Sequence, residues 1–326
     1  MPVKKSPTTA VIAGLDPFKQ LELVYAVTFH HDDRGNLWFL GREPAKDCSV
    51  AYRLDGTTAT RFQLPADLPH PGRTLAASGA VWIGVNAGMV RIDGETATSI
   101  KPPAAGLTPR LLAATPKAAY ASWTKLEGDA RETIHAFDGK AWKPLATPGL
   151  VDVRHLRGFG DRLIVFDRNY QGYVLSASGK REGAFEYDSA ITRVVVGATR
   201  FLGLASAIEV RDAKGKQVGT FTFEQLGKVT GKPSSLECGW HLGDDRFLLY
   251  AKDHMNPKAA GSLVIYDAAR GKAELHPLSK KLKPTNTPSD IACDAAGRIW
   301  LECGSWKGVT KILVLDAKGA LTTIKE

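Results

Sequence analysis

Three short stretches that share one pattern decide the fold of this chain. They read Gly35-Asn36-Leu37-Trp38-Phe39-Leu40-Gly41, Gly79-Ala80-Val81-Trp82-Ile83-Gly84 and Gly297-Arg298-Ile299-Trp300-Leu301. In each of them a tryptophan follows a glycine by three residues, inside an apolar run. Glycine supplies the backbone freedom that a tight turn needs, and a short apolar run after a turn is typical of a buried strand. The pattern therefore predicts a turn followed by a buried strand at three separate places.

Weaker copies of the same pattern lie between the clear ones and make a repeat of seven units. The equivalent central residues are Trp38, Trp82, Tyr120, Ile164, Leu202, Leu248 and Trp300. The steps between them are 44, 38, 44, 38, 46 and 52 residues. A period in the low forties, with only strand-like segments inside each unit, indicates a β-propeller.

Each unit contains four strand-like segments separated by turn residues, so the sequence predicts an all-β fold, a seven-bladed β-propeller of four-stranded antiparallel blades. We expect one domain over residues 1–326. The predicted blades are 24–66, 70–103, 107–147, 150–188, 190–224, 233–278 and 286–326. The leader, residues 1–23, contains the strand-like stretch Thr8–Ala13, which we expect to join the last blade and close the ring.

Composition excludes several classes of protein. No stretch approaches the roughly 18 apolar residues that a membrane-spanning helix needs, and no confident signal peptide precedes the first blade. The four cysteines show no zinc-ligand spacing, which favours reduced, structural thiols and a cytoplasmic location.

The net charge of +9 is spread over turns rather than concentrated. Lysines at hairpin turns are ordinary solubilising residues, and Lys280–Lys283 is the one dense run. This distribution favours a solvated surface, and nucleic-acid binding through the basic surface stays as a less favoured alternative. We expect a monomer.

Two known types of propeller repeat resemble parts of this chain. Residues Ser78–Asp93 resemble the repeat of two-component-regulator propellers, with its Gly-x-Leu-Trp-x-Gly-Thr and Gly-Leu-x-Arg-Tyr-Asp segments. Residues Asp33–Phe39 resemble repeats of virginiamycin B lyase-type propellers, and Asp294–Trp300 is similar to both. The regulator resemblance implies a sensor domain. The lyase resemblance implies metal-assisted ring opening by histidine and acidic residues at the channel mouth.

Charged residues recur at the start of the predicted inner strands. From the second unit to the seventh they are Arg73, Arg110, Arg154, Arg193, Glu237 and Asp290. Because inner strands line the axis of a propeller, we expect these side chains at one mouth of its channel. Arginine pairs well with carboxylate and phosphate, so the column is a candidate site for a protein partner or a small anionic ligand.

Loops between second and third strands are predicted to reach the same face. They carry the candidate binding residues Trp123, Tyr170, His254 and Trp306, which we expect to be exposed. Aromatic side chains and arginine are common among the residues that dominate binding at interfaces.

Two alternatives stay open at this point. The arginines can instead brace neighbouring blades by pairing with acids such as Asp152, Glu237 and Asp290. The chain can also be a metal-dependent lyase or lactonase-type enzyme, with Glu237, Asp290 and a histidine such as His241 around a metal ion. His30-His31-Asp32-Asp33 resembles a metal-binding cluster but is better explained as turn chemistry. We expect no cofactor and assign no catalytic residue.

Overall fold

The computed structural model describes most of the chain, and the account below is confined to those residues. They are 8–11, 29–32, 35–43, 48–55, 58–65, 75–78, 80–86, 88–125, 133–147, 150, 152–191, 193–205, 207–253, 255–256, 258–283, 287–304 and 310–325.

Seven antiparallel sheets contain all the described strands, and the prediction of a seven-bladed β-propeller is confirmed. Each sheet lies inside one of the seven predicted ranges, apart from one added strand. The first two sheets comprise β1 (Thr8–Val11), β2 (Phe29–His31), β3 (Leu37–Glu43), β4 (Cys48–Asp55) and β5 (Thr58–Gln63), then β6 (Leu75–Ser78), β7 (Ala80–Val85), β8 (Gly88–Asp93) and β9 (Thr96–Ile100).

The middle of the chain forms three sheets. They comprise β10 (Leu107–Thr115), β11 (Ala118–Lys125), β12 (Thr133–Phe137) and β13 (Trp142–Pro144); β14 (Val153–Phe159), β15 (Arg162–Asp167), β16 (Gln171–Ser176) and β17 (Arg181–Glu186); and β18 (Arg193–Val196), β19 (Arg200–Leu204), β20 (Ile208–Asp212) and β21 (Gln217–Phe221).

The last two sheets complete the chain. They comprise β22 (Ser234–Gly243), β23 (Arg246–Asp253), β24 (Ser262–Asp267) and β25 (Lys272–Leu275), then β26 (Asp290–Cys293), β27 (Ile299–Gly304), β28 (Thr310–Leu315) and β29 (Leu321–Lys325). A 3-10 turn covers Pro277–Lys281.

One helix interrupts the described strands, α1 (Phe223–Thr230). Thr222 and Gln225 form a capping box at its first turn, and Gly231 ends it in the left-handed conformation. The helix contacts β22 and β25. Among the described residues no helix has the length and apolar character needed to cross a bilayer.

The leader strand corrects one expectation. Its strand β1 pairs antiparallel with β5, so that Thr9 faces Thr60 and Val11 faces Thr58. It therefore adds a fifth strand to the first sheet and does not join the last sheet, whose strands β26 to β29 all come from the C-terminal part of the chain. A covered outer strand has fewer exposed backbone donors and acceptors, which explains the pairing.

The chain divides into two compact units. Residues 1–169 and 175–181 make the first, and residues 170–174 and 182–326 make the second. Within the first unit the inner strands β2, β6, β10 and β14 contact one another in that order, and within the second β18, β22 and β26 do the same. Whether the whole chain is one domain stays a prediction.

The apolar core lies between successive sheets of each unit. In the first unit, side chains such as Trp38, Phe62 and Ile83 join the first two sheets. In the second unit, side chains such as Leu248, Ile291 and Leu313 join the last two sheets. The inner strands β10, β14, β18, β22 and β26 carry the described members of the predicted column of charges.

Candidate functional site

Three of the charged residues in that column occupy β-bulges at equivalent places. In β10 the pairing moves from Pro109–Trp123 to Leu111–Ser122, which leaves Arg110 as the extra residue. The same one-residue shift makes Arg154 the extra residue of β14 and Glu237 the extra residue of β22. A bulge turns a side chain away from the regular alternation of a strand, and bulges are common next to functional sites. Three blades therefore redirect one charged side chain each.

Arg110 is held by a carboxylate of the next sheet. Its Nη1 donates to Asp152 Oδ1 at 2.7 Å, and both side chains are about one-third exposed (32% and 34%). Asp152 lies directly before β14 and has a φ of 45°, a conformation that few residues other than glycine adopt. The bracing that the sequence left open as an alternative is thus observed for Arg110.

A second arginine approaches the same carboxylate. Arg168 Nη1 lies 3.6 Å from Asp152 Oδ2, and its side chain is 69% exposed. Arg154, the bulged residue of β14, is partly buried and follows Asp152 by two residues. We call Arg110, Arg154 and Arg168 the arginine cluster. Asp152 is the carboxylate that Arg110 and Arg168 share, and Asp167, another acid on β15, is 1% exposed and accepts the backbone N–H of Asn169.

In the second unit, Arg193 and Asp290 begin the inner strands β18 and β26. Arg193 Nη2 donates to the Ser289 carbonyl oxygen at 2.9 Å, which connects the fifth sheet to the seventh. Asp290 pairs directly with Glu302 of β27, and its Oδ1 accepts the backbone N–H of Ile291. The contacts between β18, β22 and β26 place Glu237 on the strand between Arg193 and Asp290.

Glu302 is a member of this group that the column of inner-strand charges does not include. It is completely buried, and desolvation raises its pKa to about 7. The hydrogen bond from Ser289 Oγ and the positive charge of Arg193 act in the opposite direction, while the negative charge of Asp290 acts in the same direction as burial. The sequence signal that could have found it is a glutamate directly after the apolar run Ile299-Trp300-Leu301, within the same strand.

The cysteine thiols of the last two sheets stay protonated and are therefore poor nucleophiles. Cys238 is fully buried and burial raises its pKa well above the usual range, as it does to about 11 for Cys293. Cys238, Cys293 and Cys303 are all free thiols, and thiolates are the reactive form of cysteine. They serve as packing residues.

The predicted aromatic residues divide into two cases. Tyr170 is 40% exposed, has a φ of 60°, and packs edge-on against the buried Tyr187. Trp123 is not exposed as expected: it is 2% exposed, lies within β11, and packs against Trp142 at 5.0 Å between ring centroids. The strand continues two residues beyond Trp123, so its side chain joins the core instead of a loop.

Three candidate binding residues lie outside the described residues. They are Arg73, His254 and Trp306. Their roles in binding stay predictions, as do those of the residues located above.

The histidine-rich turn is explained by hydrogen bonding. Asp32 Oδ2 accepts the Asn36 side-chain amide and the Trp38 indole N–H, both at 2.9 Å. Burial lowers the pKa of His30 to about 4 and keeps its ring neutral. Across the described ranges no three histidine, cysteine, aspartate or glutamate side chains are grouped so that they could hold a metal ion.

Comparisons with known proteins identify the fold and no more. No protein-family model matches the sequence, and no curated protein is significantly similar to it. The WD40 β-propeller domain of Doa1 is 11% identical, with a TM-score of 0.51 over 90% of this chain and 96% of that chain. BBS1N, solved in complex with ARL6DN, is 11% identical, with a TM-score of 0.54 over 99% and 96%.

Peptidases also resemble this chain. A Mycobacterium tuberculosis puromycin-hydrolyzing peptidase is 11% identical, with a TM-score of 0.60 over 99% of this chain. The match spans 56% of the peptidase, so the chain corresponds to about half of that protein. At these identities the similarity concerns the propeller fold alone.

Proposed function

We propose that this chain is a binding propeller, and that the arginine cluster receives carboxylates of a partner protein. The observation that carries the proposal is the pair of β-bulges that redirect Arg110 and Arg154 on the adjacent inner strands β10 and β14. A β-bulge interrupts the backbone pairing of a strand and changes the direction of a side chain. Bulges at equivalent places in two blades therefore favour a role for these two arginines beyond covering the surface.

The charge balance of the cluster favours an acidic segment. Two guanidinium groups contact the Asp152 carboxylate, Arg110 closely and Arg168 at 3.6 Å. A second carboxylate from a partner can therefore pair with Arg168 without breaking the Arg110–Asp152 bond. Arginine donors are arranged for bidentate pairing with carboxylates, and such charge-assisted hydrogen bonds are stronger than neutral ones.

A binding role also agrees with some of the solved structures that have a similar fold. The similar structures include a chain from the Mitotic Checkpoint Complex, at 10% identity, a TM-score of 0.54 and coverage of 77% of this chain and 78% of that chain. The alternative, a metal-dependent lyase or lactonase-type enzyme, has no observation in its favour within the described residues. We infer a protein partner, with a small anionic ligand as the other use of the same chemistry; the cytoplasmic location and the monomeric state stay predictions.

The test uses a fluorescein-labelled hexaglutamate peptide, titrated with the full chain at low and at moderate salt. We expect saturable binding that weakens with salt, because the contacts are between partly exposed charges. The variant with Arg110→Gln, Arg154→Gln and Arg168→Gln should bind at least about tenfold more weakly.

A matched control removes the same charge elsewhere in the first unit. Lys117, Lys140 and Lys143 are exposed lysines of the third sheet, so the triple change of each to Gln lowers the net charge equally. The control should retain the affinity of the wild type. Equal losses in the two triple variants would show that general charge attracts the peptide and would overturn the proposal. A protein captured from the host's lysate by the wild type and the control, but not by the cluster variant, would then identify the partner.

A further inference from the structure

The strands β5 and β9 of the first two sheets are alike in sequence and in pairing. β5 begins with Thr58-Ala59-Thr60, and β9 begins with Thr96-Ala97-Thr98. In each sheet two residues separate this strand from the preceding one, and an aspartate pairs with its first threonine, Asp55 with Thr58 and Asp93 with Thr96. β5 and β9 are therefore equivalent strands of two successive blades.

The same backbone groups of the two strands point away from the preceding strand. Residues that flank a two-residue hairpin loop exchange both hydrogen bonds with each other, and the pattern alternates along an antiparallel pair. Thr96 therefore bonds to β8, whereas the N–H and C=O groups of Ala97 and Ser99 point outward. The equivalent outward residues of β5 are Ala59 and Arg61.

On β5 this outward edge holds a further strand. β1 pairs antiparallel with it, with Ala10 opposite Ala59 and Thr8 opposite Arg61. The added strand, Thr8-Thr9-Ala10-Val11, is short, extended and uncharged. Strand addition of this kind takes its affinity from main-chain hydrogen bonds. The first sheet therefore shows what an edge of this sequence binds.

On β9 the equivalent edge is open within the part of the chain that the structure describes. Its sheet has the order β6-β7-β8-β9, so no described strand pairs with its outer side. The side chains of Thr96, Thr98 and Ser99 are exposed, and the described backbone hydrogen bonds of this strand go to β8. The free backbone donors and acceptors of an edge strand are a template for pairing with another chain.

The outer strands of the five later sheets carry features that prevent such pairing. Charged residues occur in β13, β17 and β25, and α1 also contacts β25. One extra residue forms a bulge in β21 and in β29. Charges, bulges and covering elements are the usual ways in which proteins protect sheet edges. β9 has none of these protections, because its five uncharged residues stay in unbroken register with β8.

We propose that the outer edge of β9 is a strand-addition site for an extended, uncharged segment of a partner protein. The segment would pair antiparallel, as β1 does on β5, and would exchange hydrogen bonds with the backbone of Ala97 and Ser99. By this equivalence its residues resemble Thr-Thr-Ala-Val. The edge ends at Lys101, whose carbonyl oxygen accepts the Trp142 indole N–H at 3.0 Å, so the segment has about five paired residues.

A different protein is favoured over a second copy of this chain, because each copy already holds its own leader strand on β5. The site uses backbone groups of the second sheet and does not depend on the arginine cluster.

The experiment titrates the full chain with its leader sequence as a free peptide and follows amide hydrogen exchange by NMR. The probe is N-acetyl-Ser-Pro-Thr-Thr-Ala-Val-Ile-Ala-amide, residues 6–13 of this chain. We expect exchange at Ala97 and Ser99 to slow by about tenfold at saturation, at low and at moderate salt alike, because their N–H groups become paired. The control peptide has proline in place of Thr8 and Ala10, whose N–H groups would face the edge, and should have no effect.

Two variants locate the site. Ser99→Pro removes one outward N–H without removing a bond to β8, and it should weaken peptide binding at least about tenfold. Ser99→Ala is the matched control, because it keeps the N–H and should bind as the wild type does.

The exchange measurement on the wild type decides the matter if Ser99→Pro does not fold. No slowing at Ala97 and Ser99 with up to about 5 mM peptide overturns the site. Slowing that appears without peptide as the protein concentration rises would show pairing between two copies, and it would overturn the assignment to a partner protein.

Discussion

Arg193 Nη2 donates to the carbonyl oxygen of Ser289 at 2.9 Å, across 96 residues of sequence. The bond connects the first residue of β18 to the residue before β26, while β22 lies between these two inner strands in the series of contacts. Residue Arg193 therefore spans from the fifth sheet to the seventh. Its guanidinium both links two blades and contributes the positive charge beside Glu302.

Loss of this link should destabilise the protein. Replacement of Arg193 by Gln removes a charge-assisted hydrogen bond to a partly buried carbonyl, and we expect the free energy of unfolding to fall by about 1.5 kcal/mol. Urea denaturation measures the change. Arg246→Gln, at an exposed position of β23, is the matched control and should change stability by less than about 0.5 kcal/mol. Equal effects at the two positions would mean that the bond to Ser289 contributes nothing.

The buried carboxyl of Glu302 should make stability depend on pH. Its pKa in the folded protein is about 7, above the ordinary value of 4.5, because burial disfavours the charged form. The folded state thus binds the proton more tightly than the unfolded chain does. The stabilisation is fully present below about pH 4.5 and is lost as the pH rises through about 7.

Its magnitude is on the order of 3 kcal/mol for a shift of this size. The stability difference between wild type and Glu302→Gln, measured by urea denaturation from acid to alkaline pH, isolates this one group. We expect the difference to change between about pH 4.5 and 7 in favour of Gln and to be level on both sides. A difference that is constant throughout would place an ordinary pKa on Glu302.

A substitution of Asp152 separates the two roles of Arg110, which are to brace neighbouring blades and to bind a partner. Asp152→Asn keeps a residue type that tolerates the left-handed backbone but removes the charge that Arg110 and Arg168 share. Because the pair is partly exposed, we expect a loss of only about 0.5 kcal/mol in stability. Affinity for the hexaglutamate peptide should increase, since the internal competitor for the arginines is gone. A decrease in affinity would instead show that Asp152 positions Arg110 for binding.

Two repeats share an aspartate that anchors their tryptophan. Asp294 Oδ2 accepts the Trp300 indole N–H at 2.8 Å and Arg298 Nε at 2.6 Å, and its Oδ1 accepts two backbone N–H groups. Replacement of Asp294 by Ala leaves the buried indole N–H unpaired and should cost about 3 kcal/mol in urea denaturation. The equivalent change at Asp32, whose carboxylate accepts the neutral Asn36 side-chain amide, should cost less, because a hydrogen bond from a neutral amide is weaker than the charge-assisted bond from Arg298 to Asp294. Equal costs would mean that Arg298 adds nothing to the turn.

Local chemistry explains why the seven blades could be predicted from the sequence. The aspartate, the glycine in the left-handed conformation and the tryptophan lie within seven residues, as in Asp294, Gly297 and Trp300, so one short stretch holds the whole turn. The strand β1 could not be assigned correctly, because its partner β5 lies about fifty residues away and pairing through backbone groups leaves no sequence signal.

The candidate site was predictable in its residue types but not in its geometry. A bulge adds one residue to a strand without altering its apolar pattern, so Arg110, Arg154 and Glu237 resembled ordinary strand residues. Trp123 was expected in a loop, yet β11 continues to Lys125 and the buried Trp123 ring packs against Trp142. Glu302 was not singled out from the sequence, because its position opposite Asp290 follows from the register of β26 and β27.

The inner strands β10 and β14 approach each other closely at Gly158. A Cβ atom on Gly158 of β14 would lie 1.9 Å from the Ala114 carbonyl oxygen of β10, a backbone atom that cannot move aside alone. Gly158→Ala must therefore push these two inner strands apart and should lower the free energy of unfolding by on the order of 3 kcal/mol in urea. Because Arg110 and Arg154 lie on the same two strands, binding of the hexaglutamate peptide should weaken as well.

Gly160→Ala is the control. Its φ of 56° makes alanine unfavourable by about 1 kcal/mol, but no atom lies within 4 Å of the added Cβ, so peptide binding should be unchanged. If both changes cost the same and neither affects binding, the spacing of β10 and β14 does not position the arginine cluster.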